Sequence, residues 1–183
     1  MILTGRLLQH RQPKGRRLQK ARFLIRRADA QDSAAILECL AAAFERYRDE
    51  YTPEGFEDTV LNPETIQFRL RDMCVLVAIS EERIVGTIGC GVSGKEGHLR
   101  GMAVYREWQG TGVASALLRA AERELMKAGC TLVTLDTTEP LKRAIRFYEK
   151  HGFSASGRIS DFFGMPLYEY SKSLAGSHGG SAE

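Results

Sequence analysis

Apolar positions along the 183-residue chain recur with two periods, and the changes of period mark the elements. Residues 23–28, FLIRRA, read as a short first strand. From Asp32 to Glu50 the spacing turns helical, with Ile36, Leu40, Ala43 and Tyr47 on one face and Asp29 or Asp32 as cap. The segment 51–64 is rich in Pro, Gly and acidic residues and is predicted to be a loop. Asn62-Pro63-Glu64 opens a second helix running to about Arg71, with its proline early, where the missing N–H costs little. From Cys74 onward β-branched residues dominate. CVLVAIS, RIVGTIGCGV and HLRGMAVY, separated by short turns, predict an antiparallel meander. A long helix over Thr111–Ala128 follows, with Val113, Leu117, Ala121 and Leu125 on one face and Gly129 at its end. CTLVTLDT is the next strand, and a strand, helix and strand of this length imply a parallel crossover. A short helix between Pro140 and Gly152 and two last strands, FSASGRIS and PLYEYSKSL, complete the pattern.

The predicted order, β α α β β β α β α β β, is that of a mixed sheet with helices on both faces, α+β in character. Length fits one domain with a sizeable core, and no apolar run approaches the roughly 18 to 20 residues of a membrane span. Charge changes the picture at one end. Residues 1–28 hold nine Lys/Arg and no Asp/Glu, so the formal +3 of the whole chain conceals a net −6 over the other 155 residues. Residues 1–21 are therefore set apart as a basic, flexible leader, 22–174 as the folded domain, and 175–183, AGSHGGSAE, as a disordered tail. The leader lacks the apolar stretch of a secretory signal. It is read as a solvated tail or an upstream start, with an organelle transit peptide and a nucleic-acid arm as alternatives.

The cysteines at 39, 74, 90 and 130 have none of the short spacings of a zinc site. Buried free thiols in a reducing, cytoplasmic setting are expected, and no metal. Gly89, Gly91 and Gly94 spell G-x-G-x-x-G, but they lead into a turn and another strand rather than a helix, which argues against a nicotinamide cofactor. The link Gln109-Gly110-Thr111-Gly112 does lie between a strand and a helix. There, unpaired N–H groups and the helix dipole together attract an anion, usually phosphate.

Gln109 to Ala114, QGTGVA, fits the pattern Q/R-x-x-G-x-G/A, and Ala144 to Phe153, AIRFYEKHGF, fits A-x-x-F-Y-x-x-x-G-F. In this order, with a helix and a strand between them, they resemble the signature of the GNAT-type N-acetyltransferase superfamily. The resemblance covers residues 22–174 in layout and is specific over about 102–153. It implies an α/β/α-like fold whose mostly antiparallel sheet of about seven strands is splayed at its middle. It implies acetyl-CoA as co-substrate, with the backbone of Gln109, Gly110, Thr111, Gly112, Val113 and Ala114 on its pyrophosphate. Met102, Ala103 and Val104 would pair with its pantetheine arm. Tyr148 matches the family tyrosine that protonates the departing thiolate. One position departs from the pattern: Leu141 stands where many relatives carry an asparagine that contacts the cofactor. Arg143, with Lys142 and Arg146, is then the candidate for the 3′-phosphate.

A base is needed because only a neutral amine attacks. His98 is the candidate, with Glu96, Asp136 and Asp161 as rivals. The expected reaction is acetyl transfer to a primary amine by direct attack in a ternary complex, with no cysteine nucleophile. Glu45, Asp49, Glu50, Glu54, Glu57 and Asp58 would give an acidic mouth that draws a cationic amine, or else a solvated surface. Phe162 and Phe163 belong either to the acceptor pocket or under the sheet. The alternatives are a non-catalytic acyl-CoA-binding module and a tRNA-directed acetyltransferase that uses the leader. Expected partners are acetyl-CoA and an amine-bearing small molecule or protein amine, without membrane or nucleic acid, and with a homodimer left open.

Overall fold

The computed structural model describes residues 22–174; the basic leader 1–21 and the tail 175–183 lie outside the described residues. Strand β1 (Leu24–Arg27) leads through a short 3-10 turn into α1 (Ser33–Phe44). Both candidate caps take part in the turn. Asp29 accepts from Gln31 N at 2.8 Å, and Asp32 accepts from Asp29 N at 2.9 Å, a reciprocal box. Asp32 also ion-pairs with Arg26 at 2.6 Å, fastening the strand to the helix start.

The segment predicted as a loop holds a helix. After a 3-10 stretch, Glu45–Glu50, the chain forms α2 (Pro53–Val60) before α3 (Thr65–Asp72). The proline and acids that suggested a loop are start signals: Thr52 caps Gly55 N, and Pro53 occupies the first turn. Phe56, buried on the inner side, anchors this helix. Asn62 caps α3, its Oδ1 accepting from the N–H groups of Glu64 and Thr65, both at 2.9 Å.

The meander is β2 (Cys74–Ser80), β3 (Arg83–Ser93) and β4 (Glu96–Val104). Gly89 and Gly91 lie within β3, and Gly94 turns the hairpin at φ +60°. Then come α4 (Val113–Lys127), β5 (Leu132–Thr138), α5 (Lys142–Lys150), β6 (Ser154–Phe162) and β7 (Met165–Ser173). The seven strands form one sheet in the order β1-β2-β3-β4-β5-β7-β6, and only β4 and β5 run parallel. Val113, Leu117, Ala121 and Leu125 of α4 are buried against Leu76, Ala78, Ile88 and Leu99. Across the sheet, Ile36 and Leu40 of α1 and Ile66 of α3 pack on Val75, Val77 and Ala103. Two apolar layers thus hold the sheet flat-on between helices.

Two features of β4 make the site. Its parallel pairing with β5 stops at Leu99↔Leu135, so Arg100–Val104 and Asp136–Thr138 splay apart as a V. On the β3 side, Arg100 faces Gly89 and Ala103 faces Thr87, which leaves one extra residue on β4. That bulge holds Gly101 at φ +64°, a conformation that disfavours any side chain. Among the described residues no helix is long and apolar enough to cross a membrane.

Candidate active site

The V opens into a cleft of about 650 Å³, lined from both faces of the sheet. On the α4 side the predicted cradle is a run of free donors. Among the described residues, the N–H groups of Gly110, Gly112, Val113, Ala114 and Ser115 have no backbone partner; the helix ladder starts with Ala116 N bonding Gly112 O at 3.0 Å. Gly110 at φ +82° and Gly112 at φ +97° supply the left-handed turns that aim these groups outward. The predicted binding residues divide. Gln109, Gly110, Gly112 and Ala114 line the cleft, whereas Thr111 bonds back to Trp108 O at 2.6 Å and the Val113 side chain is buried in the core. Gln109 acts through its side chain: Nε2 donates to Val104 O at 3.0 Å and Oε1 accepts from Arg143 at 2.7 Å. Arg143 is thereby brought from α5 to the cradle; Lys142 and Arg146 do not line the cleft. Leu141 does.

Met102, Ala103 and Val104 form the open edge of the V, and Tyr148 reaches it from α5. The Tyr148 hydroxyl donates to Met102 Sδ at 3.6 Å. The ring is packed edge-on against Phe147 and Phe153, with centroids 5.3 and 5.6 Å away. Burial raises the phenol above the ordinary tyrosine value, so it holds its proton at neutral pH. His151 fixes α5 in place: its Nδ1 bonds Phe147 O at 2.7 Å and its Nε2 accepts from Ser115 at 3.0 Å.

His98 stands on the other wall. Its Nδ1 lies 3.0 Å from Thr134 Oγ1, which in turn donates to Glu96 at 3.0 Å. That direction places the imidazole proton on Nδ1 and leaves Nε2 as the basic nitrogen, 3.6 Å from Asp136. Burial raises the Asp136 carboxyl, and His98 pulls it back down. The rivals thus have distinct places: Glu96 behind Thr134, Asp136 beside His98, and Asp161 away from the cleft, accepting from Gly164 N at 3.2 Å in the β6–β7 turn. Cys90 and Cys130 are buried without a neighbouring base, and burial pushes the Cys90 thiol up to about 12. Neither is placed as a nucleophile.

Of the two readings left open for the acidic residues of this region, a solvated surface fits better than an acidic mouth. Of Glu45, Asp49, Glu50, Glu54, Glu57 and Asp58, only Asp58 lines the cleft, and it is matched by Arg100 at 2.5 Å. Arg46 and Arg69 line it too. The chain from α1 to α2 roofs this half: Tyr51 bonds Thr138 Oγ1 at 2.6 Å, and Thr52 bonds Phe163 O at 3.0 Å. Phe162 lines the cleft, whereas Phe163 is an exposed hairpin residue at φ +52°.

Residues 36–153, which carry most of the cleft lining, match the Acetyltransferase (GNAT) family. The chain belongs to the GNAT acetyltransferase family. Solved GNAT structures share its fold at low sequence identity. The PaiA N-acetyltransferase from Thermoplasma acidophilum, solved with coenzyme A, superposes with a TM-score of 0.70 at 19% identity, over 83% of this chain and 99% of that one. The ribosomal-protein-S18-alanine N-acetyltransferase from Escherichia coli gives 0.68 at 19%, over 86% and 98%. Ard1 from Thermoplasma volcanium gives 0.67 at 20%, over 84% and 99%.

Several GNAT cleft residues of this chain carried no sequence signal of their own. Tyr51 belongs to the segment read as a loop, Arg69 to α3 and Arg100 to β4, and none of the three stood out in the sequence. Thr137 lines the cleft and is buried, and among the described residues its hydroxyl has no hydrogen-bond partner. Only the β-strand alternation beside Asp136 could have pointed to it.

Proposed function

We propose that this GNAT acetyltransferase transfers the acetyl group of acetyl-CoA to a primary amine by direct attack. One observation carries the reading: the free donors of the glycine link are continuous with an unpaired stretch of β4 that ends under the Tyr148 hydroxyl. A molecule with a diphosphate, an amide-rich arm and a thioester matches that sequence of environments. The link would hold the diphosphate. The open edge of Met102–Val104 would pair with the arm as an added strand would. The thioester carbonyl would then reach the β4 bulge, where a strand N–H polarises it.

The acceptor ammonium gives one proton to His98 Nε2, which passes it to solvent. The neutral nitrogen attacks the carbonyl carbon, forming the C–N bond as the carbonyl π electrons move to oxygen. Collapse breaks the C–S bond, and the thiolate takes the Tyr148 proton. The phenol is restored by the second proton leaving nitrogen. Products are the amide, free CoA thiol and one proton. Asp136 orients His98, and Thr134 with Glu96 fixes its tautomer. The placement of Tyr148 in the cleft weighs against a non-catalytic binding module.

The test is release of CoA thiol across a panel of amines, with Tyr148→Phe beside the intact chain. We expect amine-dependent release, lowered about 10²-fold in kcat by loss of the hydroxyl, as for removal of a general acid. Equal rates for the two proteins would remove Tyr148 from the mechanism.

A further inference from the structure

Among the described residues Arg69 is a cation with no hydrogen-bonded or ion-paired carboxylate. It projects from the last turn of α3 into the cleft, half-buried, and makes no hydrogen bond or ion pair to the protein among the described residues. Its neighbours are otherwise matched. Arg100 is committed to Asp58 at 2.5 Å, and Asp136 faces His98 at 3.6 Å. A guanidinium withdrawn from water without a partner is costly to keep charged. Burial and the adjacent Arg100 lower Arg69 to about 10 against the smaller opposing pull of Asp58, whose carboxylate is hydrogen-bonded to Arg100 and not to Arg69; the guanidinium is still charged at neutral pH.

Its place along β4 is specific. The guanidinium lies against the bulge at Gly101, close enough that a side chain there would collide with it. Met102, under the Tyr148 hydroxyl, is the next residue, about 3.8 Å further by Cα. The strand's end at Val104 is three residues further on, about 10 Å at 3.3 Å per residue, and the phosphate cradle lies beyond it. Arg69 therefore belongs to the reacting end of the cleft and not to the diphosphate.

We propose that Arg69 receives a carboxylate carried by the amine acceptor, which is thus an amino-acid-like molecule with its amine only a few bonds from its acid group. The inference rests on the acetyl-transfer reading and deepens it. A planar guanidinium with free N–H groups fits a carboxylate in the two-point manner that an ammonium does not. The short step from Gly101 to Met102 sets the small separation of amine and acid. Roofing by Tyr51 and Thr52 favours a small acceptor.

The test uses the full chain and follows CoA thiol release with acetyl-CoA. Acceptors are the α-amino acids, β-alanine and 4-aminobutyrate, each beside its own carboxamide. At least one acid should be preferred over its amide by about 10- to 100-fold in kcat/KM, the range of a charge-assisted pair. Arg69→Gln should bring that ratio close to one, mainly through KM, and Arg69→Lys should restore part of it. Calorimetric titration with CoA checks that each variant is folded. It also separates the two readings: intact CoA binding with no amino acid acetylated overturns this inference and leaves the cofactor assignment standing, whereas loss of CoA binding by the intact chain removes both. A preference that survives Arg69→Gln overturns the inference. So does an Arg69 dependence that appears only when succinyl-CoA replaces acetyl-CoA, because the anion would then belong to the acyl group.

Discussion

The two walls of the cleft are built in different ways. The α4–α5 wall is assembled from consecutive residues: a glycine link, the helix it opens, and one tyrosine nine-tenths buried on the next helix. Its donors are backbone groups, so its chemistry follows from where glycine permits positive φ. The α1–α3 wall draws single side chains from separate places in the chain: Tyr51 from the link before α2, Asp58 from α2, Arg69 from α3, His98 from β4 and Asp136 from β5. Its charges are set by pairing, Asp58 on α2 with Arg100 on β4 and Asp136 on β5 with His98 on β4. A diphosphate needs only a row of N–H groups, whereas an acceptor is selected by how individual charges are matched or left over.

Two glycines offer the strongest way to break this comparison. Gly112 turns the cradle and Gly101 the bulge, both at positive φ. Gly101→Ala strains the backbone and pushes against the Arg69 guanidinium. It should lower kcat/KM for the acceptor by about 10- to 100-fold, a loss of roughly 1.4 to 2.7 kcal/mol, through acceptor KM where Arg69 is displaced and through kcat where the polarising strand N–H moves, with CoA affinity unchanged. If CoA affinity fell instead, the walls would not be separable.

A smaller effect sharpens the cofactor wall. Arg143→Ala removes an exposed cation held to the cradle by Gln109. CoA affinity measured by titration should weaken about 3- to 10-fold, more at low salt than at high, because exposed charge pairs are screened. A salt-independent loss would mean that Arg143 acts by packing and not by charge.

The smallest effect concerns stability. Burial raises the Asp136 carboxyl in the folded state. A carboxyl whose folded pKa is raised contributes stability that is fully present below its unfolded value, near 4, and lost as pH rises through the folded value. At pH 7 the ionised group therefore weighs against folding. Asp136→Asn should raise Tm by about 1 to 3 °C at pH 7, kept small by solvent screening, and the gain should vanish by about pH 4. Acetyl transfer should fall in the same variant, since His98 loses its orienting partner.

How far each wall was legible in the sequence follows from its construction. The strand–glycine–helix order, the α4 core face and the helix that carries Tyr148 follow from local spacing, and these elements stand where they were expected. The α1–α3 wall was not legible in this way. The helix Pro53–Val60 was read as a loop because Pro, Gly and acids were counted as breakers, although Thr52-Pro53 is a start signal. The choice between an acidic mouth and a solvated surface stayed open in the sequence for a related reason: charge density along the chain does not tell which face of a helix meets the cleft. Arg69 and Thr137 become distinctive only when their lack of partners is seen in three dimensions.

The most direct measurement is calorimetric titration of the intact chain and of Gly112→Trp with acetyl-CoA and with CoA. Both ligands should bind the intact chain, and neither should bind the variant, whose indole would fill the cradle while its backbone is forced off φ +97°. Absence of binding to the intact chain, or undiminished binding to Gly112→Trp, would contradict the assignment of the glycine link as the diphosphate site.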